Sequence, residues 1–256
     1  MHNIRFCAPT IAQLLSVPAF TEAAPMPEVL EKSGGTADRV LMYNPDAVAW
    51  WIFEKYHDLF EPILKDALVL QMESVMPSVT PVCFASIYSG LMPEGHGIRS
   101  YTKPVLTCET IFDALIKAGK KPVICSTSGD SVSKIFLERD MEYYIYDTHE
   151  EVNAKAEELI RRNRHDLIVV YNGNCDGTMH RHGPEAEESL NALRDNVASY
   201  ARLTSAAGEV WGGAGLKYVS GFVTDHGCHE IDGGCGSHGL DMPEDMNVVH
   251  LWHASR

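Results

Sequence analysis

Five consecutive apolar residues at Leu167–Tyr171 (LIVVY) set the first constraint on this chain. The run is too short for an ordinary helix and has no polar face, so it reads as a strand covered on both sides. Other short β-rich runs stand at Arg39–Asn44 (RVLMYN), Lys121–Ser126 (KPVICS), Tyr143–Tyr146, Tyr218–Thr224 (YVSGFVT) and Asn247–Leu251. Between them lie segments with helical periodicity: Ala47–Tyr56, Pro81–Gly90, Thr110–Gly119, the charged Glu150–Arg164 and the long Pro184–Ala207. Two of these stop at glycine, as helices do. Near the start, Thr10–Pro18 reads as a short amphipathic helix. Strands alternating with helices predict an α/β fold with a mostly parallel central sheet and helices on both faces. No low-complexity linker or internal repeat divides the 256 residues, so one domain over 1–256 is expected.

Charge narrows the function. Lys and Arg number 21 against 35 Asp and Glu, a net charge of −14, and no stretch gathers a basic patch. A general nucleic-acid binder draws most of its affinity from cations on phosphates, so that class is excluded as an expectation. No run approaches the roughly 18 uninterrupted apolar residues of a membrane span. The seven cysteines are odd in number, scattered and without CxxC spacing. That usage suits reduced thiols, and with no secretory signal in the first twenty residues it predicts a cytoplasmic protein.

In open α/β sheets ligands bind beyond the carboxyl ends of the strands. Three strand ends here carry an acid: Asp46 after RVLMYNP, Asp176 after LIVVYNGNC, and Asp225 after FVT. Five of the 12 histidines (180, 182, 226, 229 and 238) follow the last two acids closely. Carboxylates and imidazoles converging on one edge are a ligand set for Zn²⁺ or, with more oxygen, Mn²⁺ or Fe. Taken singly, Asp46 is equally a helix N-cap and each His-Gly a turn; the conjunction points to metal. The loop from Asp225 to Glu244, rich in Gly and His, is long enough that an irregular path there implies function.

Residues 76–98, MPSVTPVCFASIYSGLMPEGHGI, carry the other signal. Thr80 before Pro81 predicts an N-cap followed by proline at the first helical position. The helix start is a ready site for phosphate. Thr80 is therefore either a cap alone or a nucleophile, and as a nucleophile it needs a base or a metal to activate it.

These segments resemble the alkaline phosphatase superfamily, most closely its type I phosphodiesterase/nucleotide pyrophosphatase branch. The resemblance covers roughly residues 38–250 in four segments in order: the Thr80 segment, DGTMHRHGP, TDHG and SHGLD. It implies a hydrolase of a phosphate ester, diester or pyrophosphate that uses two divalent ions, Zn²⁺ or Mn²⁺, and passes through a phospho-threonine. It makes Thr80 the nucleophile, groups Asp46, Thr80, Asp225 and His226 around one ion, and groups Asp176, His180 and His238 around the other. His182 is an alternative ligand, and Cys228, Cys235 and His229 are a weaker zinc candidate. Trp50 and Trp51 are either a substrate platform or helix packing.

Two departures from the pattern bear on function. Met179 stands before His180 where the family has glycine, which keeps the Asp-to-His spacing. Cys83 stands where an asparagine is expected to contact the phosphoryl group, which argues against nucleotide diesters. A small phosphorylated metabolite or small diester is the expected substrate, with no partner among nucleic acids or membranes, and oligomeric state is left open. Phosphonate hydrolysis or phosphomutase chemistry on the same metal core is the alternative enzyme reading. A metal-binding protein without turnover is the alternative from another class.

Overall fold

Every strand expected from the sequence is present in the computed structural model, which describes residues 1–255. In chain order the strands are β1 (His2–Asn3), β2 (Arg39–Pro45), β3 (Leu68–Glu73), β4 (Pro122–Thr127), β5 (Glu142–Tyr146), β6 (Leu167–Asn172), β7 (Tyr218–Val223), β8 (His229–Ile231), β9 (Cys235–Ser237) and β10 (Asn247–Ala254). Eight form one sheet in the order β1-β3-β10-β7-β2-β6-β4-β5, and β8 pairs with β9 in a separate hairpin. Within the sheet β10 runs antiparallel to β3 and β7, and every other pairing is parallel. The α/β expectation therefore holds, with helices on both faces.

Alternation along the central strands explains the apolar runs. Val40 and Met42 face one core, with Leu167, Val169 and Tyr171 of β6 beside them. Leu41 and Tyr43 face the other, with Ile168 and Val170. Successive side chains of a strand point to opposite faces, so a strand buried on both has no polar position to spare. The helices Cys7–Leu14, Thr80–Ser89 and Ile111–Lys117 cover the first face, and Trp50–Lys55, His149–Arg162 and Glu187–Ala207 the second.

Local differences from the expectation have identifiable causes. The first helix is buried nearly all round and is not amphipathic. The helix expected from Ala47 begins only at Trp50, because Ala47 turns the chain out of β2 at φ 64° and Ala49 is extended. The long helix begins at Glu187, with Pro184 left in the preceding turn. β3 is unmarked in the sequence: most of its residues are only half buried, so its pattern is weak. Residues Asn174–His182, which carry no helical periodicity, form a helix. The loop after β7 contains the β8–β9 hairpin, and the buried Asp245 ties it down by accepting from Leu240 N at 2.9 Å and meeting His229 Nδ1 at 2.7 Å. Among the described residues no helix is long and apolar enough to cross a membrane.

Candidate metal centre and nucleophile

The parallel strands β2, β6 and β7 are adjacent, so their carboxyl ends share one edge. Asp46 leaves β2, Asp176 lies in the helix that follows β6, and Asp225 and His226 follow β7. Asp176 and His180 lie four residues apart on that helix and therefore on one face. His180 Nε2 stands 3.3 Å from Asp176 Oδ1. The hairpin brings His238 to the same place, its Nε2 3.4 Å from Asp176 Oδ1 and 3.1 Å from His180 Nε2. Close approach of the hairpin depends on Gly236, where a Cβ would meet Met179 O at 2.6 Å and Cys228 Sγ at 2.7 Å. His226 sits between the groups. Its ring stacks on His238 with centroids 3.9 Å apart, and its Nε2 is 3.2 Å from Asp46 Oδ1 and 3.4 Å from Asp225 Oδ2.

Thr80 faces this cluster. Its Oγ1 is 3.2 Å from His226 Nε2. The N-cap position belongs to Val79, Thr80 is the first helical residue, and no side chain caps this end. The expected N-cap role is thus overturned: the helix starts one residue early, and the hydroxyl is directed to the cluster instead.

Hydrogen bonding fixes the polarity of the donor set. The Nδ1 atoms of His180, His226 and His238 face the carbonyls of Gly236, Gly227 and Ser78 at 3.0, 2.9 and 2.8 Å. A carbonyl only accepts, so each neutral ring carries its proton on Nδ1 and turns a lone pair at Nε2 toward the cluster. The acids are committed in the same way. Asp46 Oδ2 accepts from the Tyr171 hydroxyl and Asp225 Oδ1 from Ala47 N at 3.3 Å. Their other oxygens, Asp46 Oδ1 and Asp225 Oδ2, together with Asp176 Oδ1, are buried without a donor. Three lone-pair nitrogens and three orphaned oxygens point at one another, an arrangement that is costly until cations enter it. Second-side hydrogen bonds of this kind are what orient metal-bound imidazoles. Two trios have donor atoms close enough to share an ion: Asp46, Asp225 and His226, and Asp176, His226 and His238. The residues fit divalent ions.

The electrostatics say the same. Burial, then the neighbouring charges of Asp225 and Asp176, hold the Asp46 carboxyl well above the usual carboxylate range. Burial raises Asp225 as well. Burial pushes Asp176 up too, but His180, His226 and His238 outweigh it and leave it below its ordinary value. The contact with Asp176 raises His180, whereas burial and the charge of His226 push His238 down to about 3. Buried carboxylates this close do not ionise together without a compensating cation.

The remaining sequence candidates fall outside the cluster. His182 is exposed at the end of its helix. Cys228 and Cys235 bond to the carbonyls of His229 and Arg181, and His229 pairs with Asp245, so no thiol–imidazole zinc set forms among them. Trp51 donates to Cys228 O at 3.1 Å, Trp50 packs on Phe53, and both lie against the second core: they are packing. Met179 is buried in that core. Cys83 is fully buried, with Sγ 3.2 Å from Ser74 Oγ, so it faces the sheet and does not line the opening. Cys83 therefore presents no donor to the opening. Tyr171, which periodicity marks only as strand core, also donates its hydroxyl to Asp46 Oδ2 in the candidate site, a contact that no local pattern in the sequence marks.

No family model and no curated protein matches the chain. Solved structures do. Human ectonucleotide pyrophosphatase/phosphodiesterase 5 superposes with a TM-score of 0.61 at 18% identity, over 76% of this chain and 58% of that one. Its murine counterpart, in an inactive threonine-to-alanine form in complex with AMP, gives 0.58 at 16% identity, over 77% of this chain and 59% of that one. The chain has the fold of the nucleotide pyrophosphatase/phosphodiesterases. That agrees with the resemblance read from its motifs. It spans under three fifths of the length of these pyrophosphatase/phosphodiesterase structures.

Proposed function

We propose that this chain is a metal-dependent hydrolase of small phosphate esters, diesters or pyrophosphates, with Thr80 as the nucleophile. The observation that carries the reading is the Thr80 hydroxyl standing 3.2 Å from His226 Nε2 among orphaned carboxylate oxygens. Asp46, Asp225, His226 and Thr80 would hold one ion, and Asp176, His180 and His238 the other. Two such ions supply a positive field for the developing charge and raise the acidity of a hydroxyl or water. The murine structure supports the role given to Thr80, since that protein is inactive when a threonine becomes alanine, and its AMP makes small nucleotides the first substrates to try.

The chain's own groups define the steps. Pro81 and the buried helix behind it fix Thr80, so the hydroxyl meets phosphorus without losing further freedom. His226 has one lone pair, at Nε2, which the ligand role would occupy, so the Thr80 proton would pass to water as the acidity of the hydroxyl is raised. Bond formation from Oγ1 to phosphorus expels the leaving group and gives phospho-threonine; water then breaks that bond and regenerates the hydroxyl. At the helix start Pro81 has no N–H and Val82 and Cys83 give theirs to Val79 O, which leaves the Thr80 N–H as the backbone donor for the transferred group.

The test is a panel of nucleotides, sugar phosphates, aryl diesters and phosphonates, each run with Zn²⁺, Mn²⁺ and Mg²⁺. Thr80→Ala should lower kcat by on the order of 10³-fold or more while Thr80→Ser retains part of it. Unchanged kcat in folded Thr80→Ala protein refutes the assignment.

A further inference from the structure

The segment that leaves the helix Pro93–His96 carries Tyr101 and Lys103 to the edge that holds the carboxylates. Tyr101 is 59% exposed, yet its phenol is held above its ordinary value by partial burial and by the charges of Asp46, Asp176, Asp130 and Asp225. The ring lies against Lys103, which reaches the end of β4 on that same edge. Lys103 Nζ lies 5.2 Å from the centre of that ring and donates to Gly129 O at 3.0 Å. Gly129 and Asp130 follow β4, which runs parallel to and beside β6, so this turn and the helix bearing Asp176 leave neighbouring strand ends.

The amine of Lys103 is held by contacts other than an ion pair. Lys55, Lys117, Lys120 and Lys155 each pair with a carboxylate within 4.0 Å. Lys103, like Lys32, Lys65, Lys121, Lys134 and Lys217, makes no such pair among the described residues; what sets it apart is a carbonyl and an aromatic face that hold it in place, with Asp130 close enough to feel its charge. Its ammonium has three donors, and Gly129 O takes one. A fixed, half-buried cation with donors to spare beside a phosphate-type site is a place for an anion.

We propose that Lys103 anchors a second anionic group, carboxylate or phosphate, on the part of the substrate beyond the reacting phosphoryl group. The atoms that connect the two groups lie across the face of Tyr101. The proposal rests on the hydrolase reading and narrows it to compact substrates bearing two anionic groups.

The test compares methyl phosphate, which has no second anion, with 2-phosphoglycolate and pyrophosphate, on Zn²⁺-loaded protein. Lys103→Met keeps the apolar stem over the ring and removes the charge. It should lower kcat/KM for a two-anion compound by about tenfold or more, with methyl phosphate changed by about twofold at most, and Lys103→Arg should restore most of the loss. Whichever of the carboxylate and phosphate compounds loses more identifies the group. An equal change on all three compounds, or none, overturns the proposal. If the wild-type protein turns over none of them, the hydrolase reading fails for these esters. Calorimetric affinities of methyl phosphate and 2-phosphoglycolate then decide for Lys103 separately: selective weakening of 2-phosphoglycolate supports the anchor, and equal or absent weakening overturns it.

Discussion

Replacing Asp225 by asparagine tests the metal centre, because the carboxylate acts in opposite directions with and without cations. In metal-free protein its Oδ2 is a buried acceptor without a donor, 3.4 Å from the lone pair of His226 Nε2 and near the equally buried Asp46. The amide introduced by Asp225→Asn has the same shape as the carboxylate. Its oxygen can still accept from Ala47 N, and its NH₂ takes the place of Oδ2, where it can donate to His226. Relief of one unsatisfied buried group is worth about 1–3 kcal/mol. At roughly 2.1 cal/mol/K per residue, unfolding a chain of 256 residues has an entropy near 0.5 kcal/mol/K, so the metal-free variant should melt about 2–6 °C higher.

With metal the sign reverses. An ion present at a hundred times its Kd stabilises the folded state by about 2.7 kcal/mol, or about 5 °C on the same scale, and two ions by about 10 °C. Asp225→Asn removes an anionic ligand from one site, so roughly half of that gain should vanish. The assay is thermal unfolding of both proteins in chelator and in a Zn²⁺ or Mn²⁺ series. An asparagine variant that melts lower in chelator, or gains as much from metal as the wild type, refutes the donor geometry.

Two further outcomes follow from groups around the cluster. Tyr171→Phe frees Asp46 Oδ2 from its hydroxyl donor and should weaken metal affinity by about 10–100-fold, measured by chelator competition, with little change in fold. Asp130, which meets the Thr127 hydroxyl, is held at about 6 by burial, partly offset by Lys103. A carboxyl raised above its unfolded value of 3.8 gives stability that is present below that value and lost as pH rises through about 6. Asp130→Asn escapes this loss, so its advantage over wild type in urea unfolding should grow by about 2 kcal/mol between pH 4 and pH 8, and a pH-independent difference would contradict it.

The parts legible in the sequence are those set by periodicity and chain order. Burial on both faces removes polar positions from β2 and β6, and parallel pairing then carries Asp46, Asp176 and Asp225 to one edge whatever the loops do. What stayed hidden depends on contacts between distant residues. The tautomers of the three histidines are set by Gly236, Gly227 and Ser78, and the Tyr171 hydroxyl reaches Asp46 across 125 positions. β3, only half covered, lacks the pattern that marks its neighbours.

Cys83 shows where spacing misleads. Three residues after Thr80, it shares a helix face with the nucleophile, which suggests that both meet the substrate. Yet three residues also advance a helix by about 4.5 Å along its axis. At Thr80 the face meets His226 at the strand ends; one turn on, it meets Ser74 and the covered surface of the sheet. The thiol is fully buried and its pKa lies well above its ordinary value, chiefly through burial. A determinant of substrate choice needs a polar group on the open side, and there the chain offers Tyr101 and Lys103, in a segment without helical or strand periodicity. The decision between small diesters and compact two-anion substrates therefore passes from the nucleophile helix to the segment that follows it.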